Sequence, residues 1–99
     1  MREISDNEFV EAVDEGKVLV DFYSTFCPPC KALAPILEAM EQKNPQISFV
    51  KINVDEHMLH ASRNGVSSLP ALILFEGGQE TKRHVGLMPA PAMAAWLGV

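Results

Sequence analysis

The chain has 99 residues, of which 47% are hydrophobic and 21% charged, with a formal net charge of −5 at pH 7. That length supports one domain with a single core, and the hydrophobicity argues against disorder. The acidic balance gives no electrostatic case for binding nucleic acid or an anionic membrane surface, and no apolar run approaches bilayer length.

In chain order, Met1-Arg2-Glu3-Ile4-Ser5-Asp6 is polar and acidic, unlike a secretory leader, so the chain as given is expected in the cytoplasm. Ser5 and Glu8 have capping-box spacing, Phe9, Val10 and Val13 give a short apolar helical face, and Gly16 is expected to close this helix. Residues 18–23 read as a strand apolar on both faces, as a central strand is. Asp21 interrupts that run. A buried carboxylate is costly unless paired or protonated, and desolvation raises its pKa toward neutrality.

Cys27-Pro28-Pro29-Cys30 follows, where the strand meets a helical stretch running to Met40 with Pro35 inside it. These are the only two cysteines. A cysteine pair at a strand-to-helix junction has the layout of a dithiol/disulfide redox site. Cys27, just before the helix, is expected to be exposed, with its thiolate favoured by the unpaired N–H groups and positive dipole end of the helix. Cys30, in the first turn, is expected to be partly buried and to act as the resolving thiol. Pro29 suits a first turn. Pro28 fixes a second φ and removes one donor from the neighbourhood of Cys27. A buried thiol pair or a half metal site is the competing reading.

Ile47–Val54 reads as a second core strand and residues 57–64 as a short helix. Ala71–Phe75 is a third strand, Gly77-Gly78 a hairpin turn into Glu80–Val85, and Pro89–Leu97 a final helix. His57 and His60 have HxxH spacing, which with the cysteines would make a zinc set. They lie on a separate segment and read better as solvated surface histidines, so no metal is expected. His84 reads as exposed, and Trp96 as a core anchor. The sum is an α/β fold, a mixed central sheet sandwiched by helices, in one domain over residues 1–99.

The chain resembles the thioredoxin family. Val20-Asp21-Phe22-Tyr23, then Phe26-Cys27-Pro28-Pro29-Cys30-Lys31 and Ala34-Pro35-Ile36-Leu37, is similar to that family's active-site strand and helix. Lys51-Ile52-Asn53-Val54-Asp55 resembles its next strand, Leu69-Pro70 its cis-proline loop, and Val85-Gly86 its glycine segment beside the active site. Phe26 and Pro28 stand where the family usually has tryptophan and glycine, and the first strand is at most Arg2–Ile4.

The resemblance implies a thioredoxin fold and a protein-disulfide reductase that works by dithiol–disulfide exchange through Cys27 and Cys30. It implies that Asp21 lies beneath Cys30 and assists its deprotonation, with Lys51 as partner. It implies a cis Leu69–Pro70 bond beside the cysteines. Leu69 and Pro70 would order an extended client segment, and Phe26, Pro28, Val54, Val85 and Gly86 would line an apolar groove around Cys27. Implied partners are disulfide-containing client proteins and a flavin-dependent reductase of the thioredoxin reductase type. The chain itself needs no cofactor and is expected to be a monomer. With no histidine between the cysteines, the couple is expected between about −270 and −180 mV rather than near −120 mV. A thiol oxidant or isomerase, a redox-inactive scaffold, and a metal or iron–sulfur site shared by two chains are the alternatives.

Overall fold

Five short extended segments pair into one mixed sheet of order β1-β3-β2-β4-β5 in the computed structural model, which describes all 99 residues. In sequence the elements are β1 (Arg2–Glu3), α1 (Asp6–Val13), β2 (Lys17–Tyr23), α2 (Pro28–Lys43), β3 (Ile47–Asn53), α3 (Leu59–Arg63), β4 (Ala71–Glu76), β5 (Gln79–Val85) and α4 (Ala90–Leu97). β2 is the central strand, parallel to β3 on one edge and antiparallel to β4 on the other. Its residues Val18 to Phe22 are all buried. That is why it reads as a continuous apolar run and not as an alternation.

Because strand side chains alternate, β2 divides the core in two. Val18, Val20 and Phe22 face one way and pack with Phe9 and Val13 of α1 and Ala61 of α3. Leu19 faces the other way and packs with Leu33 and Leu37 of α2 and Met93 and Leu97 of α4. Asp21 shares the second face, under α2. At the hairpin, Gly77 and Gly78 have φ of 60° and 82°, a pair of positive values that a two-residue hairpin turn demands.

Helix ends are closed by side chains from elsewhere in the chain. Ser5 caps α1, with its backbone N–H donating to Glu8 Oε1 at 3.0 Å. The Asp6 carboxylate then reaches 53 residues ahead and takes both N–H groups at the start of α3, Leu59 at 3.1 Å and His60 at 3.1 Å. At the end of α4, Lys17 and Lys82 donate to the Leu97 and Trp96 carbonyls at 3.2 and 2.6 Å. These cations satisfy orphan carbonyls in a helix with no basic residue of its own in its last turn.

Several expectations need correction. α1 ends at Val13 with Asp14 as its C-cap, and Gly16 (φ 71°) belongs to the turn into β2. β3 ends at Asn53, one residue short of Val54, and α3 spans only residues 59–63, leaving His57 outside it. His60 is not solvated. It is buried and stacked on the Phe9 ring at 4.3 Å, because α3 is pinned onto α1 by Asp6 and turns its inner face to the core. His84 is half-buried, edge-on to Trp96 at 6.3 Å, and Trp96 itself is only half-buried, packed on the margin of the core.

Removing the Asp6 carboxylate strips two hydrogen bonds from α3 at once. Asp6→Ala is expected to destabilise the chain by about 1–2 kcal/mol, the size of a lost helix cap, while leaving disulfide reduction intact. Urea unfolding and a turnover assay on the same sample check both halves.

Candidate active site

After Tyr23 the chain leaves the sheet through Ser24, Thr25 and Phe26 and enters α2 at Pro28. Cys27 is the N-cap of α2. Pro28 and Pro29 fill the first two helical positions and carry no N–H, so the first free amide at this helix end is that of Cys30. That amide donates to Cys27 Sγ at 3.3 Å. The donor lost to Pro28 is thus replaced by one aimed at the sulfur. Cys27 and Cys30 are joined as a disulfide, with Cα atoms 5.2 Å apart. Cys30 is 4% exposed. Cys27 is half-buried, less open than expected, since its sulfur lies against the turn that Cys30 begins.

Polar side chains fix this loop. Ser24 Oγ donates to Asp55 Oδ2. The buried Asn53 donates from Nδ2 to Thr25 Oγ1 at 3.0 Å and accepts the Asp55 N–H on Oδ1 at 2.9 Å. The residues just before Cys27 are therefore bolted to the end of β3. The sequence reading missed this tether. Its signal was Asn53, a polar residue in an apolar strand, which must find partners once buried.

Beneath the disulfide, Asp21 is 4% exposed, and its Oδ1 has no hydrogen-bond partner. Burial pushes its carboxyl up to about 7, against the pull of the Lys51 charge. Lys51 is its register partner on β3 but makes no ion pair with it; the ammonium lies over the Tyr23 ring, 5.5 Å from the centroid. Asp21, Tyr23, Cys30, Lys31, Ala34 and Lys51 line a cavity of about 310 Å³ that opens this side of Cys30 to water.

The Leu69–Pro70 bond, just before the pairing of Ala71 with Phe22 of β2, is cis. Pro70 is buried and its carbonyl accepts the Gly86 N–H at 2.8 Å, while the N–H and C=O of Leu69 make no hydrogen bond within the chain. Gly86 has a φ of 101°, which favours glycine. Phe26 is 87% exposed, Val85 is exposed and Pro28 is exposed. Val54 and Leu69 are half-buried against the core. The expected groove is not a cavity, for none of these residues lines one. Phe26 stands away from the core.

A two-cysteine N-terminal helical turn following the central strand, with a cis-proline leading into the neighbouring strand β4, defines a dithiol–disulfide oxidoreductase built on a thioredoxin fold. The thioredoxin family model matches residues 1–98. Thioredoxin of Chlamydia muridarum is 43% identical over 84 residues, covering 85% of this chain and 82% of that protein. Thioredoxin-1 of Saccharomyces cerevisiae is 45% identical over 85 residues with the same coverage. A solved structure of Plasmodium falciparum thioredoxin superposes with a TM-score of 0.92 at 24% identity, over 99% of this chain and 97% of that one. The chain belongs to the thioredoxin family, and it is a thiol–disulfide oxidoreductase that reduces protein disulfides.

The raised Asp21 pKa is also a statement about stability. The unfolded carboxyl loses its proton near 3.8 and the folded one near 7. Between these values the folded chain holds the extra proton, so this group's contribution falls as pH rises and levels off above about 7. Asp21→Asn, which mimics the protonated acid, is therefore expected to gain stability on the order of a few kcal/mol at pH 8. The gain should shrink through the window and vanish near pH 4. Denaturant midpoints of both proteins across pH 4–8 check the sign.

Proposed function

We propose that Cys27 is the attacking thiol, Cys30 the resolving thiol and Asp21 the proton acceptor for Cys30. The observation that carries this reading is the asymmetry of the pair. Cys27 caps α2 and receives an N–H on its sulfur, whereas Cys30 is buried above an unpartnered carboxyl.

In the reduced protein the Cys27 thiolate attacks one sulfur of a client disulfide. A Cys27–client mixed disulfide forms and the first client sulfur leaves as a thiolate that solvent protonates. Cys30 passes its proton to the Asp21 carboxylate, through water in the cavity. The Cys30 thiolate then attacks Cys27 Sγ and expels the second client sulfur. Two electrons have moved from the chain to the client, leaving Cys27–Cys30 oxidised. A carboxyl with a pKa about 7 suits this transfer, since it exchanges protons readily at neutral pH.

The client binds across Phe26, Pro28, Val54, Val85 and Gly86. An extended client segment takes up the free N–H and C=O of Leu69, as in strand addition, with Pro70 ordering that loop. Lys51 acts on Asp21 by its charge. Regeneration falls to a flavin-dependent reductase of the thioredoxin reductase type that supplies two electrons to the disulfide. The chain works as a monomer, and the cytoplasm is the compartment that suits it, because thiols there are kept reduced.

Two experiments check this reading. With the reduced protein at neutral pH, Cys27 is expected to alkylate at least tenfold faster than Cys30, and Cys30→Ser to accumulate mixed disulfides that Cys27→Ser does not. Equal alkylation rates, or trapping by Cys27→Ser, would reverse the assignment. Separately, Phe26→Ala is expected to raise KM for a protein disulfide several-fold while barely changing the rate with a small disulfide. Equal losses on both substrates would show that Phe26 acts on the cysteines and not on the client.

A further inference from the structure

We propose that Tyr23 is a positioning residue. Its ring seats the Lys51 ammonium beside Asp21, and the hydrogen bond from its hydroxyl to Glu3 keeps the ring in place. The proposal rests on reading Asp21 as the acceptor of the Cys30 proton.

Glu3 of β1, Lys51 of β3 and Asp21 of β2 form one register row across the sheet. Lys51 therefore stands between two carboxylates. A lysine side chain is a flexible stem with a compact charge, and nothing in its own chemistry selects one neighbour over the other. Glu3 is exposed and easily solvated, so it is the cheaper partner for an ammonium, while the Asp21 side requires a partly desolvated cation. Yet Lys51 pairs with neither. Its ammonium lies 5.5 Å from the Tyr23 ring centroid, within cation–π range. Tyr23 follows Asp21 by two residues and so lies on the same face of β2. Its hydroxyl donates to Glu3 Oε2 at 2.5 Å. The tyrosine thus occupies the competing carboxylate and offers the lysine its ring instead. Tyr23, Lys51, Asp21 and Cys30 line the same cavity.

The other charged or titratable groups about Asp21 are few. Cys30 and Lys31 of α2 line the cavity with it, and His84 of β5 lies in its register row beyond Leu72 of β4. Among these groups, Lys51 is the one whose charge moves the Asp21 carboxyl, and it moves it down. Loss of the seat lets the ammonium swing into solvent or onto Glu3. The Asp21 pKa then rises further, and its carboxylate becomes scarcer at neutral pH.

The test titrates the Asp21 carboxyl directly by NMR in the full chain. Tyr23→Leu is expected to raise the midpoint by about 0.5 pH unit, a fraction of what a neighbouring opposite charge contributes. Tyr23→Phe, which keeps the ring face, should move it less than half as far. Tyr23→Gln loses the ring but suits a half-buried position, and it should match Tyr23→Leu if the latter folds poorly. Lys51→Met should raise the midpoint more than any of these, and adding Tyr23→Leu to it should have no further effect. A wild-type midpoint in both ring-loss variants, or an undiminished Tyr23 effect without Lys51, overturns the proposal. The pH profile for resolving a Cys27 mixed disulfide, measured on the same variants, judges the underlying reading separately. A profile that follows the midpoints supports both. A profile that stays fixed while Asp21 moves sinks the proton-transfer role and leaves the positioning role standing.

Discussion

Strand β2 is hydrogen-bonded along both edges and covered on both faces, and the site takes its geometry from that confinement. A strand so held cannot slide, since a one-residue slip would turn Leu19 and Asp21 toward α1 and bring Val20 under α2. With the register fixed, Asp21 must lie under the N-terminal part of α2. The turn after Tyr23 must deliver Cys27 to the helix end. The tether through Ser24, Asn53 and Asp55 adds a second attachment, so the cysteine loop is held by β2 behind it and by the end of β3 beside it.

Within that frame two demands conflict. Thiolate chemistry needs donors near Cys27, whereas two consecutive prolines remove them. The helix resolves the conflict at its third position, where the Cys30 amide reaches the Cys27 sulfur. The prolines still stiffen the turn by fixing two φ angles. A second conflict concerns Asp21. A carboxyl in the central strand works against stability at and above neutral pH, and no packing argument accounts for its presence. A buried carboxyl with a raised pKa that shares a cavity with a redox cysteine is a functional-site candidate. Local rules that break at a single residue in an otherwise consistent strand are where function is to be sought.

Much of this was legible in the sequence because it rests on local pattern. The apolar run of β2, the proline-flanked cysteines, the hairpin glycines and the Ser5–Glu8 cap each follow from residues close together in the chain. The burial of Asp21 followed from its neighbours. What escaped were interactions between distant residues. Nothing near Asp6 reveals that it caps a helix 53 positions on, and without that contact His60 looked like a surface residue. His84 was read as exposed from its polar strand, but α4 folds back over it and sets Trp96 against its ring. Lys51 was expected as the partner of Asp21; it is paired with it in register, and its ammonium lies over the Tyr23 ring.

The two cysteines, three residues apart, open onto different surroundings. Phe26 and Pro28, which flank Cys27 in the chain, are exposed and line no cavity. The Cys30 side meets a small cavity whose lining includes one carboxyl and two lysines. The separation follows from position along the axis of α2, of which Cys27 is the N-cap and Cys30 the third residue. Cys27 lies at the end of that axis, and Cys30, in the first turn, is directed down toward β2 and Asp21.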